Sequence, residues 1–188
     1  MILFYWTLGY ALPAATATYL KTKLDHVRDR IIVIHVGILL SIAVLSLFGL
    51  RLTWHLPTLY IVIFLLGASL AVYLLRLQGM LYVLSVIVQE YCILLAGSYL
   101  AEEYGIAIGS IATALVFTFA HRIPFAHRTV KDEQLTRFSL LFCWGVASIL
   151  LYAWLHEPVL NIGLHAGLGA VVIYRGWLFT NRTPDTLL

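Results

Sequence analysis

Residues 86–121 read VIVQEYCILLAGSYLAEEYGIAIGSIATALVFTFAH. Two apolar runs meet here around the polar break Glu102-Glu103-Tyr104-Gly105. The first run carries a carboxylate, Glu90, with an amide, Gln89, beside it. The second ends on His121, four residues after Phe117. A run of about 20 apolar residues crosses a bilayer as a helix. A charge inside such a helix is costly, about 2.5–3.5 kcal/mol for an aspartate at its centre. Groups of this kind face one another or a wet cavity. A third polar group, His165, lies in the last apolar run, within Asn161-Ile-Gly-Leu-His165-Ala-Gly-Leu-Gly169. The remainder of the chain reads as scaffold around these groups.

Composition agrees. Of 188 residues, 62% are hydrophobic and 11% are charged, against about 25% charged in a soluble domain. Mean hydropathy is +0.93. The apolar residues come in long runs and not in strict alternation, which excludes a β-barrel and predicts an all-α, polytopic membrane bundle. The net charge of +3 does not point to nucleic acid, because the basic residues lie between the apolar runs. Cys92 and Cys143 both fall inside runs, with neither a disulfide framework nor zinc spacing. They read as small packing residues, and no cofactor or metal is expected.

About seven spans follow in order: 2–20, 31–50, 57–75, 79–100, 105–125, 138–155 and 158–177. Pro13 predicts a kink in the first. Ala14-Ala-Thr-Ala17 is faintly like a signal cleavage site, but a basic leader segment is missing and the span reads as an anchor. Eleven of the twelve basic residues fall on one side of this arrangement, and only Arg51 on the other. That asymmetry predicts an N-terminus outside and a C-terminus in the cytoplasm. Trp54, Tyr104, Trp154 and Trp177 lie near the expected interfaces. Glu102 and Glu103 read as solvated. His35 reads as interfacial, and His26, His55, His127 and His156 as loop or interface residues. Gly105/Gly109 and Gly163/Gly167 each form a GxxxG pair suited to close helix packing.

Residues four apart share a helix face. Ser85 pairs with Gln89, Phe117 with His121, and Asn161 with His165 and Gly169. This set resembles the CPBP family of intramembrane proteases, which includes the CAAX-type prenyl endopeptidases. The family pattern is Glu-Glu-x-x-x-Arg, then Phe-x-x-x-His, then His-x-x-x-Asn. The matching stretches are Gln89-Glu90-Tyr-Cys-Ile-Leu94, Phe117-Thr-Phe-Ala-His121 and His165-Ala-Gly-Leu-Gly169. The resemblance covers roughly residues 84–172. It implies a family core in 79–188, spans four to seven with a short cytoplasmic tail, and leaves 1–78, spans one to three, outside it.

Three positions depart from the pattern. The family's water-activating glutamate is Gln89, and an amide cannot act as a general base. The arginine position is Leu94. The late asparagine, which would help stabilise an oxyanion, is Gly169; Asn161, one turn before His165, is its candidate replacement. The expectation is a non-catalytic relative that binds a membrane protein, a peptide or a lipid in the former active site through Gln89, Phe117, Asn161 and Gly169. An active endopeptidase would rely on Glu90, His121 and His165. A haem- or quinone-binding subunit is the alternative from another class, since imidazoles are common haem ligands.

Overall fold

The computed structural model describes residues 1–21, 23–52, 57–122 and 131–175. Trp54, His55, His127, Arg128, Trp177 and Arg182 lie outside them. Every regular element described is helical. The first is an almost unbroken rod built from α1 (Ile2–Trp6), a π-helical segment (Thr7–Ala11) and α2 (Leu12–Lys21). Proline lacks an N–H, so Pro13 cannot bond the carbonyl of Gly9, one turn back. The wide turn just before it absorbs that fault inside the helix, as π-bulges do. The proline expected to bend this span thus follows directly on a change of winding.

The other helices are α3 (Val27–Leu47), α4 (Thr58–Leu75), α5 (Leu77–Tyr104), α6 (Ile106–Arg122), α7 (Lys131–Leu155) and α8 (Pro158–Tyr174). Four of them, α3, α4, α5 and α7, are long and apolar enough to cross a membrane. The molecule is an all-α membrane helical bundle. Helix α7 starts seven residues before the expected span, because Lys131–Arg137 is polar yet free of helix breakers. Connections are abrupt. Arg76 at φ 57° separates α4 from α5, and Gly105 at φ 85° separates α5 from α6. Pro158 opens α8 at its first turn, where a missing N–H does no harm.

Helix α5 is the centre. Half of its apolar stretch is buried, against 11% for α3 and for α4. It touches α1, α3, α4, α6, α7 and α8. Two chain neighbours do not behave as such. Helices α3 and α4 hardly meet, and each packs on α5 instead. Helices α7 and α8, joined by a two-residue turn, also diverge: α7 lies along α6 and α8 along α4. Glycines explain the α4–α8 pairing. A Cβ on Gly67 would collide with the carbonyl of Gly163, and one on Gly163 with the backbone of Phe64. Gly167 also approaches Gly67, so the Gly163/Gly167 pair packs as its spacing predicts. The other pair splits its duties. Gly109 lies against Gly97 and Ala101 of α5, whereas Gly105 is a turn residue with open space around it.

Apolar clusters flank the middle of α5. Trp6, Tyr10, Leu45, Leu94 and Tyr99 form one. Ala71, Val86, Ile162 and Ala166 form the second. Ile93, Phe117 and Ile149 form the third. The polar centre lies among them.

Candidate functional site

Helix α5 places Gln89 and Glu90 about 100° apart, and they enter different surroundings. Glu90 is fully buried and points into the gap left where α7 and α8 diverge. Its Oε1 accepts hydrogen bonds from Trp144 Nε1 of α7 at 2.6 Å and from His165 Nδ1 of α8 at 2.6 Å. Its Oε2 accepts from Ser148 Oγ at 2.5 Å. An ionised carboxylate only accepts, and here three donors on two helices converge on it. Asn161 Nδ2 donates to Ser148 twice, to its carbonyl at 2.6 Å and to Oγ at 2.8 Å. The hydroxyl of Ser148 thus receives from Asn161 and gives to Glu90. Trp144 and His165 also lie ring against ring, with centroids 5.0 Å apart.

Gln89 belongs to another chain of bonds. Its Nε2 donates to Ser85 Oγ at 2.7 Å, as the four-residue spacing predicts. Ser85 Oγ stands 2.9 Å from Nε2 of His35 on α3. His35 Nδ1 is 2.8 Å from the carbonyl of Ile31. A carbonyl can only accept, so Nδ1 carries the proton and Nε2 accepts from Ser85. His35 is therefore a link between α3 and α5. The two acyl side chains that stand side by side in the sequence serve two different helix seams.

His121 is half-buried near the end of α6. Its Nδ1 donates to the carbonyl of Phe117 at 2.8 Å, and its ring centroid lies 4.3 Å from that of Phe117, the two planes tilted by 55°. Nε2 therefore keeps its lone pair. His121 makes no hydrogen bond to Glu90; it lies within electrostatic range of His165 and of Lys21. Lys21, at the end of α2, is buried and donates to the carbonyl of Ala120. A cation there complements the negative end of α6 and ties α2 to it. The antiparallel register of α5 and α6 brings Ile93 against Phe117, which sets Gln89 and His121, one turn further along each, at the same level.

The sequence-predicted residues thus divide. Glu90, His165 and Asn161 come together through Ser148. Phe117 and His121 stand beside them on α6. Gln89 turns away. Asn161 does not take the role of an oxyanion donor, because its amide hydrogens are committed to Ser148. At Gly169, an added Cβ would collide with the hydroxyl of Tyr82, which donates to the carbonyl of His165 at 3.2 Å. The phenol fills the space that a side chain at 169 would need. Leu94 is fully buried in the apolar cluster with Trp6, Tyr10 and Leu45, one turn from Glu90 on the same helix, so the carboxylate has no cation at the position where the family pattern places one.

Sequence reasoning missed Trp144, Ser148 and Tyr82. The first two stand four apart on α7, a spacing that marks one polar face inside an apolar helix. Tyr82 had no such signal. Among the described residues, no group of three histidine, cysteine or acidic side chains is arranged to hold a metal ion. Glu102 and Glu103 are exposed, as expected of solvated residues. Cys92 is buried, and Cys143 is exposed on the outer face of α7. Comparison with known proteins gives no match to a family model, a curated protein or a solved structure.

Proposed function

We propose that this is a multi-pass membrane protein with a CPBP-like core in its last four helices, and that it binds a membrane partner, a peptide or a lipid where that family cuts. The observation that carries this reading is the bonding of Glu90. A general base needs a free lone pair directed at water. The carboxylate instead accepts from Trp144, Ser148 and His165. At the family's own base position stands Gln89, engaged with Ser85. Among the described residues of the site, Nε2 of His121, Nε2 of His165 and Oδ1 of Asn161 are left open for a ligand. The basic residues cluster at the bundle end that holds Lys21, Arg30, Arg76 and Arg175, which supports a cytoplasmic placement of that end and an outside N-terminus.

The test is extraction in mild detergent followed by native mass measurement and a visible spectrum. A stoichiometric protein or lipid adduct without colour is the expected result. A Soret band would replace the reading with a haem protein and make His35, His121 and His165 the ligand candidates.

One observation favours hydrolysis as a second reading. His165 and His121 both have Nδ1 anchored, by Glu90 and by the Phe117 carbonyl, and both leave Nε2 open. A carboxylate that orients a histidine is the arrangement by which triad enzymes hold their base. Here His165, not Glu90, would activate water, with His121 beside it. Cleavage of a peptide panel that disappears in both His165→Ala and His121→Ala supports this reading; activity that survives either substitution removes it.

A further inference from the structure

We propose that one face of α8, together with the side chains it meets on α7 and α5, forms a proton path through the bundle. This is independent of the binding reading and requires only that the bundle cross the bilayer. Glu157, Asn161 and His165 recur every four residues, from the α7–α8 turn to the middle of α8. Glu157 and Asn161 are 3% and 0% exposed. Each holds a buried oxygen, Oε2 of Glu157 and Oδ1 of Asn161, with no partner among the described residues. Both oxygens are acceptors, and their residues are four apart in the chain at the start of α8. Water, which can donate to both, is the occupant that satisfies this pair.

From Asn161 inward the bonds run without a gap. Asn161 Nδ2 reaches Ser148 Oγ at 2.8 Å, Ser148 Oγ reaches Glu90 at 2.5 Å, and Glu90 reaches His165 Nδ1 at 2.6 Å. Beyond His165 comes His121, in electrostatic range and with its own Nε2 open, near the opposite end of the bundle beside Lys21. Tyr10 and Tyr82 also lie in electrostatic range of Glu90. Their hydroxyls donate to the carbonyls of Thr113 and His165 and stand outside the path. A hub that served packing alone would account for Trp144 and Ser148. It would not account for two unpaired oxygens at one end, an open imidazole nitrogen on His165 midway and a second on His121 towards the other end. Ionisable groups retained in the membrane interior mark proton and ion paths.

Ser148 takes a proton from water and gives its own to Oε2 of Glu90. The carboxyl group then rotates to bring that proton to the His165 side, and the His165 ring turns over so that its lone-pair nitrogen takes it. The imidazolium then releases the proton on its other nitrogen towards His121 or water beside it, and Glu90 is a carboxylate again. One proton has crossed, and no group has changed net charge.

The experiment uses the full chain in phosphatidylcholine vesicles with trapped pyranine, potassium and valinomycin, after an external pH step. Internal pH should change faster than in protein-free vesicles. Ser148→Ala and Glu90→Gln should lose most of that excess rate, while Leu84→Ala, on the exposed side of α5, should keep it. Should Glu90→Gln fail to fold, Ser148→Ala and Glu157→Gln decide the matter. A wild-type rate equal to that of empty vesicles overturns the proposal. So does an excess rate that Ser148→Ala and Glu157→Gln leave unchanged.

Discussion

Glu90 receives its donors from two other helices, so each donor can be tested by deleting it alone. Trp144→Phe keeps the ring and removes the N–H. It leaves one acceptor of a buried carboxylate less well satisfied, a loss of about 1–3 kcal/mol. The expected outcome is an earlier unfolding transition in a denaturant titration in detergent. Unchanged stability would mean that the indole packs on His165 without contributing its hydrogen bond. Gln89→Ala should cost less, because Gln89 is half-buried and Ser85 retains its bond to His35. The opposite order would place the structural weight of this region on the α3–α5 seam. Glu90 was legible in the sequence because a carboxylate in an apolar run demands partners. Their identity was not legible, since serine and tryptophan are unremarkable in a membrane helix until something nearby needs a donor.

At the scale of helices, glycine decides which pairs can close. The α4–α8 seam runs through Gly67, Gly163 and Gly167, where backbone meets backbone. Gly163→Leu inserts a side chain into a space that does not exist, and overpacking of this kind costs about 1–3 kcal/mol or more. Because α8 carries His165 and Asn161, parting it from α4 also disturbs the bonds to Glu90 and Ser148. The expected signs are a lower unfolding midpoint and a changed Trp144 emission, since that indole bonds Glu90 and lies against the His165 ring. A normal midpoint with normal emission would show that the seam yields easily. The Gly163/Gly167 spacing announced a close contact, though not its partner. Gly105, with the same spacing to Gly109, proved to be a turn, because the chain reverses there and only a residue free to adopt positive φ ends α5 so sharply.

For the whole molecule, the separation of α3 from α4 and of α7 from α8 leaves α5 in contact with nearly every other helix. That centrality lets one acid on α5 collect donors from helices remote in the chain. The placement of the bundle ends is open to direct labelling in a chain with Cys92 and Cys143 replaced by alanine. Tyr104→Cys, at the α5–α6 turn, should react with an impermeant maleimide on intact cells. Asp25→Cys, between α2 and α3, should react only after permeabilisation. The reverse pattern would invert the proposed orientation, and reaction of both from one side would break the seven-span arrangement.

Membrane character, the helices and most of their limits are legible in the residues alone. Long apolar runs leave the backbone no partner in lipid except itself, and glycine, proline and charge mark where the runs end. The sequence also singled out Glu90, His121 and His165, because polar groups are conspicuous where lipid is the solvent. Only the tertiary structure decided that Gln89 and Glu90 serve different seams, that Asn161 is committed to Ser148, and that Tyr82 fills the space beside Gly169. Those outcomes depend on which helix faces which. That choice is made by shape at a few glycines and by the need of one buried carboxylate for donors, and neither is written in any local stretch of the chain.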